Sequence, residues 1–328
     1  MSQYNPPFTI TSKILDLVIR ITEYVTKLEM LEPKIISPTL RKVNKIKTIT
    51  GTLEIEGNTL GIEKVTAILE GKRVLGTTRE IAEVQGAIKV YDELDNFEYK
   101  NMDDLLLAHK YLMQDILTKA GTYRVKDVGV GGSEGVVHIA PPSGQVPNLM
   151  SDLFEWLQTT DIHPLIKSSV FHYEFEFIHP FIDGNGRIGR LWQSLILYQW
   201  KGIFSSIPVE SVVNDSQEEY YKVLEDSGSL GECTPFVEFM LEAIMQTCQK
   251  VLNESKNVPL NVPKNVPLTR LEQIVHLIEE NRDIIIEQIA LECDVSSKTI
   301  KRDMTKLKNE GRVIRMGSLK SGYWELIK

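Results

Sequence analysis

Ile14, Leu17, Val18, Ile21, Val25 and Leu28 recur at intervals of three and four, which lines up apolar side chains on one helical face. Ser12 stands just ahead of them, where a helix N-cap belongs. The same period returns over 81–94, 105–117, 150–157, 165–178, 188–200, 218–224 and 236–252, so the spacing predicts a mainly α chain. One stretch departs from it. Residues 121–144, GTYRVKDVGVGGSEGVVHIAPPSG, mix glycine with β-branched residues and predict a β-hairpin with a flexible tip.

Beyond residue 255 the pattern changes. An Asn-Val-Pro triplet recurs at Asn257, Asn261 and Asn265, and each proline denies the chain a regular helix, so 255–267 reads as a semi-extended linker. Two short apolar helices follow at 271–278 and 286–293. A third begins at Ser296 with SSKTIKRDMTKLKNEG, and strand-like runs lie at 313–315 and 323–326. Helix, helix, basic helix and hairpin is the order of a winged helix-turn-helix over 268–328.

Charge sharpens this division. Residues 264–328 hold 12 Lys and Arg against 10 Asp and Glu, leaving 25 and 35 for the rest of a chain of net charge −8. Such a balance excludes a protein that coats nucleic acid along its length, but not a small basic surface. Cys233, Cys248 and Cys293 form no CxxC pair, which favours buried thiols and a cytoplasmic protein over a disulfide or zinc framework. The start, MSQYNPPFTITSK, does not read as a signal peptide, and no apolar run approaches a membrane span.

The chemistry concentrates in Ile178-His179-Pro180-Phe181-Ile182-Asp183-Gly184-Asn185-Gly186-Arg187-Ile188-Gly189-Arg190. Gly184 and Gly186 allow a sharp turn and a close ligand approach just where helical spacing resumes, which delivers free N–H groups at a helix start to an anion. Arg187 and Arg190 add forked hydrogen bonds to phosphate oxygens. Asp183 offers one hard oxygen, which suits magnesium held mainly by phosphates and water. His179 supplies a base near neutral pH. Each feature alone is commonplace. Their order within one segment is not.

This segment resembles the signature of the Fic family, HPFx(D/E)GNGRxxR, at every specified position, and the likeness extends over most of residues 1–252. PPFTIT, GTYR, the PP-x-x-x-x-VP run and the Tyr220–Tyr221 pair add to it. The resemblance implies a helical Fic catalytic core (96–254) with a β-hairpin flap, behind an N-terminal helical region (1–95). It implies transfer of AMP from ATP to a protein Ser, Thr or Tyr hydroxyl, with His179 as general base and Asp183 binding Mg2+. Gly184, Asn185 and Gly186 would then cradle the phosphates, Arg187 would stabilise departing pyrophosphate, and Tyr220 and Tyr221 would lie near the adenine. A phosphorylating branch carries lysine at position 186; this chain has glycine. An adenine-binding asparagine of the family corresponds to Gly228, so the base pocket is expected to be built differently.

Thr52-Leu53-Glu54-Ile55-Glu56-Gly57-Asn58 resembles the family's inhibitory motif, (S/T)xxxE(G/N). A carboxylate from Glu56 against Arg190 would take the guanidinium that should hold the γ-phosphate. Glu-Gly is also a common helix stop, and that reading stands beside it. The flap at 125–139 suits a target held through main-chain hydrogen bonds. The resemblance further implies a homodimer. Lys298, Lys301, Arg302, Lys306 and Lys308, with Arg312, Arg315 and Lys320 in the wing, suit DNA phosphates across 296–320, although winged helices also dock proteins. Two functions therefore remain: an autoinhibited, self-modifying AMP transferase, or a DNA-binding regulator whose Fic domain senses nucleotide. An intact His179 and Asp183 favour the first, because a sensor needs no base.

Overall fold

The computed structural model describes residues 4–35, 38–132, 135–256, 270–293, 295–309, 311–317 and 322–326. The chain divides into two compact units, Met1–Val262 and Pro263–Lys328. Both follow the expected class: a mainly α body with one hairpin, and a small helix-turn-helix with a wing. Among the described residues, no helix is long and apolar enough to cross a membrane.

In the first unit the helices are α1 (Ser12–Ile35), α2 (Pro38–Ile55), α3 (Gly61–Leu69), α4 (Thr78–Asp92), α5 (Met102–Met113), α6 (Val146–Thr159), α7 (Pro164–Ile178), α8 (Asn185–Trp200), α9 (Val209–Asp215), α10 (Gln217–Leu230) and α11 (Thr234–Lys256). The cap of α1 differs from expectation. Thr11 Oγ1, not Ser12, accepts the Ile14 N–H at 3.1 Å, so Ser12 is already the first helical residue. At the head of α4 a capping box forms, with Thr77 and Glu80 satisfying each other's backbone N–H groups. Helix α2 falls where no helix was expected. It packs on α9, and Gly51 makes that approach possible, since a Cβ there would lie 3.0 Å from the Glu210 backbone.

Helix α7 is the axis of the unit. Every residue from Leu165 to Phe175 is buried, so it shows no amphipathic stripe and behaves as a central helix covered on all sides. It packs most heavily against α8, with α6, α11 and α1 also against it. The loop between α7 and α8, residues 179–184, is thereby mounted on two buried helices. The hairpin joins β1 (Gly129–Gly132) and β2 (Gly135–Ile139), antiparallel, in register Gly129 to Ile139 and Gly132 to Gly135 with an irregularity after Val130.

The second unit holds α12 (Arg270–Glu280), α13 (Ile286–Glu292), α14 (Ser297–Asn309) and the antiparallel pair β3 (Val313–Met316) and β4 (Tyr323–Leu326). Ile274, Ile278, Ile289, Ile300, Leu307 and Trp324 are among its core. Trp324 closes the wing onto the helices by donating Nε1–H to the Ile284 carbonyl at 3.0 Å. In the expected linker, residues 255 and 256 complete α11, and 257–267 lie outside the described residues, as does Lys320.

Candidate active site

Helix α7 ends on His179, whose N–H still donates to the Phe175 carbonyl at 2.9 Å while its own backbone turns left-handed at φ 49°. It is the one non-glycine residue with positive φ among those described, and such strain persists only where surrounding structure holds it. Arg124 supplies that hold. Its buried guanidinium donates to the carbonyls of His179 (2.7 Å) and Ile178 (3.3 Å), and the Arg124 N–H donates to the Pro180 carbonyl at 2.9 Å. A cation thus satisfies the orphan carbonyls at the end of α7. The same guanidinium donates to the Lys126 and Pro141 carbonyls at 3.1 and 2.5 Å, fixing the roots of the hairpin to the loop.

Beyond Pro180 the loop is braced from below. The Phe181 ring stacks on His109 with centroids 3.7 Å apart. His109 accepts the Gly121 N–H at Nδ1 (2.8 Å), which leaves Nε2–H to donate to the Asp183 carbonyl (3.0 Å). Burial holds His109 neutral, lowering its pKa to about 4. Gly184 is required twice over: its φ is 87°, and a Cβ would lie 3.0 Å from Met113 Sδ. Asn185 spends its side chain inside the loop, accepting the Phe181 N–H and donating to the Phe181 carbonyl, both at 2.9 Å. What it can offer a ligand is its backbone N–H. With those of Gly186 and Arg187 it heads α8, where no carbonyl of the preceding turn can reach it.

The charged residues meet over that helix start. Asp183 receives Arg187 Nη2 on Oδ1 at 2.8 Å and Arg79 Nη2 on Oδ2 at 2.6 Å. Arg187 is pinned on its other side 3.3 Å from Glu83, which also receives Asn58 Nδ2 at 2.9 Å. Arg190 is buried. It donates Nε–H to Thr52 Oγ1 (2.9 Å), and Nη2–H to the Thr52 carbonyl (3.1 Å) and Glu56 Oε1 (2.7 Å). Burial opposes its charge, but Glu56, with Tyr220 and Glu176 farther off, holds the guanidinium above its ordinary pKa.

Glu56 follows the last turn of α2, where Gly57 at φ 85° reverses the chain and the Asn58 N–H returns to the Leu53 carbonyl. Its carboxylate lies directly on the first turn of α8: a Cβ at Gly186 would come within 2.2 Å of Glu56 Oε1. An acidic oxygen therefore sits where helix-terminal N–H groups and a buried guanidinium attract an anion.

The two tyrosines part company. Tyr220 is fully buried against Phe236 and Phe239, with its hydroxyl 3.1 Å from His172 Nε2, so its ring belongs to the core. Tyr221 keeps an exposed ring and donates its hydroxyl to the Ile55 carbonyl at 3.1 Å. For a metal, the donor set is small. Among the described residues no three His, Cys, Asp or Glu are arranged to hold a metal ion by themselves, and Asp183, a single carboxylate beside the helix start, fits a magnesium ion that draws its other ligands from phosphate and water. Arg79, Glu83 and His109, which reach the loop from distant segments, carry no sequence signal; Arg124 is the last residue of the GTYR run, whose role at the end of α7 emerges only from the fold.

A glycine-rich helix start between two buried helices, with a strained histidine at its entrance, offers free N–H groups and guanidinium groups of the kind that suit an anion. Residues 99–197 match the Fic/DOC family and residues 270–318 a DeoR-like helix-turn-helix domain. A Fic family protein from Desulfovibrio desulfuricans G20, known from its crystal structure, is 38% identical over 99% of this chain and 98% of its own, with a TM-score of 0.76. This chain belongs to the Fic/DOC family. It is also similar to the protein adenylyltransferases Fic of Drosophila mojavensis (27% identical over 67% of this chain) and fic-1 of Caenorhabditis elegans (30% over 62%). The matched part spans 44% and 41% of those two proteins.

Proposed function

We propose that the chain is a protein adenylyltransferase, held off by Glu56, that moves AMP from ATP to a protein Ser, Thr or Tyr hydroxyl. One observation carries the reading: Glu56 Oε1 stands 2.7 Å from Arg190 Nη2 over the first turn of α8. A place that receives a carboxylate in this way is a place for phosphate. The adenylyltransferase names of relatives, and glycine rather than lysine at 186, support ATP as donor of an adenylyl group.

In the reaction the acceptor oxygen attacks the α-phosphorus and its proton passes to His179 Nε2. The bond from that phosphorus to the α,β-bridging oxygen breaks, and pyrophosphate departs. The N–H groups of Asn185, Gly186 and Arg187 hold the phosphates, and Arg187 turns from its carboxylate partners to the charge of the leaving group. Asp183 would hold magnesium, which would neutralise phosphate charge. With Glu56 on Arg190 the terminal phosphate loses its partner and the α-phosphorus sits off line; a displacement near 1 Å costs on the order of a hundredfold. Tyr221 is the tyrosine of the pair that meets the adenine. The hairpin at 125–139 takes the target, or a segment of another copy of this chain, by main-chain pairing.

Labelled ATP tests the assignment. Glu56→Gly protein incubated with Mg2+ should incorporate label from α-labelled but not γ-labelled ATP. Label from the γ position, or none from either, contradicts it.

A second reading has its own support. Lys298, Lys301, Arg302, Lys306 and Lys308 are all exposed on α14, in a domain that matches a DeoR-like helix-turn-helix. The chain would then act at DNA, with the Fic domain reporting nucleotide. A mobility shift by the full chain that weakens as salt rises supports it; absence of any shift at low salt ends it.

A further inference from the structure

Glu176, three residues before His179, is a carboxyl group the chemistry above does not use. Its side chain is only 11% exposed, and Oε1 makes no hydrogen bond. Oε2 lies 3.9 Å from His179 Nδ1, and Oε1 lies 3.9 Å from His172 Nε2. Gly189 gives it room from α8, since a Cβ there would sit 2.9 Å from Oε1. Position 189 is unspecified in the signature, yet any side chain on it would push this carboxyl away from its seat.

His172 is not a partner for it. Its Nδ1–H donates to Gln193 Oε1 (2.7 Å) and its Nε2 accepts from the Tyr220 hydroxyl (3.1 Å); burial lowers its pKa to about 3, so the ring stays neutral. The remaining neighbours are His179 at the end of α7, Arg190 on α8, Tyr220 on α10 and Glu56 after α2.

We infer that Glu176 is a positioning residue for the base, holding the Nδ1 side of His179 so that Nε2 is the atom that takes the acceptor's proton. The inference rests on the role of His179 proposed above. At 3.9 Å the carboxyl stands about 1 Å beyond an ordinary N–H···O distance, and the inferred contact is one that tightens as the site closes on its substrates. As a neutral acid it accepts the Nδ1–H; as a carboxylate it also stabilises the imidazolium that forms in the reaction. Burial pushes its pKa up to about 8, against the pull of Arg190 and with the push of Glu56. Its ionisation therefore falls close to neutral pH and is tied to the brake: withdrawal of Glu56 removes a negative neighbour and lets the carboxyl ionise at lower pH.

The test is a histidine NMR titration of the full chain, with the His179 signal identified by its loss in His179→Ala. Wild type should show a second inflection of the His179 ring near pH 8, the value set by Glu176. Glu176→Gln should lack that inflection, and Glu56→Gly, which keeps Glu176, should move it to lower pH. In the Glu56→Gly background, Glu176→Gln should lower kcat about tenfold at alkaline pH and less below neutrality, with KM for ATP unchanged. Identical His179 titrations in wild type and Glu176→Gln overturn the inference, as does an inflection that Glu56→Gly leaves in place. Absence of AMP transfer with the inflections as described would instead sink the proposed activity and leave the coupling standing.

Discussion

Helices α8 and α14 both open with basic residues, yet Arg187 and Arg190 on α8 are 3% and 2% exposed while Lys298, Lys301 and Arg302 on α14 stand in solvent. Each arginine of α8 is held by named acceptors: Asp183 and Glu83 for the first, Thr52 and Glu56 for the second. Burying a guanidinium costs free energy unless such partners are present, so this geometry is specified by the fold. On α14, Lys298 and Lys301 keep their hydration and contribute a field without fixed geometry. Lys308, and Arg315 on β3, lie 5.2 and 4.6 Å from the Trp324 ring centre. One helix forms a site that tolerates little change. The other offers a charged surface whose residues can be exchanged.

That contrast sets the order of expected effects. In a Glu56→Gly background, His179→Ala should lower adenylyl transfer about a thousandfold while ATP binding by calorimetry changes little. Glu56→Gly alone should raise transfer on the order of a hundredfold over wild type, measured as initial rate of label uptake. Arg124→Ala, which strands buried carbonyls at the end of α7, should cost about 2–3 kcal/mol in urea unfolding. The paired change Lys298→Glu and Lys301→Glu should shift stability by less than about 0.5 kcal/mol, and should abolish any salt-dependent DNA binding.

A pH profile sharpens the same contrast. His109 and His172 are buried neutral, with pKa lowered to about 4 and about 3 from 6.5. A depressed base contributes stability that is fully present above its unfolded pKa and is lost as pH falls. The contribution of each ring should therefore decline below pH 6.5, by about 1.4 kcal/mol per pH unit, while Glu176, whose pKa burial raises, contributes with the opposite sign over the same range. Denaturant titrations of wild type and His109→Gln at pH 7 and pH 5 isolate the ring, and an identical pH dependence in the two proteins contradicts it. The exposed lysines of α14 add nothing to that slope.

Much of this was legible in the chain. The loop from His179 to Arg190 could be read because its chemistry is contiguous, and Glu56 because its motif accompanies that loop. Arg79, Glu83 and His109 could not, since each looks like an ordinary residue until the fold brings it to Asp183 or Arg187, and the GTYR run showed Arg124 without showing that it holds the end of α7. Tyr220 and Tyr221 show a related limit: adjacent positions on α10 face the core and the solvent, which composition does not reveal. Helix α2 escaped notice because threonine and glycine interrupt its apolar spacing, and Gly51 proves to serve packing against α9. Asn185 carries a signature position, yet its side chain closes the loop on Phe181.

If a carboxylate and a terminal phosphate compete for Arg190, the competition is read by intact-protein mass spectrometry of wild type and Glu56→Gly, each incubated with ATP and Mg2+. The variant should carry adducts of one adenylate and wild type few or none. Equal modification of the two proteins would contradict it.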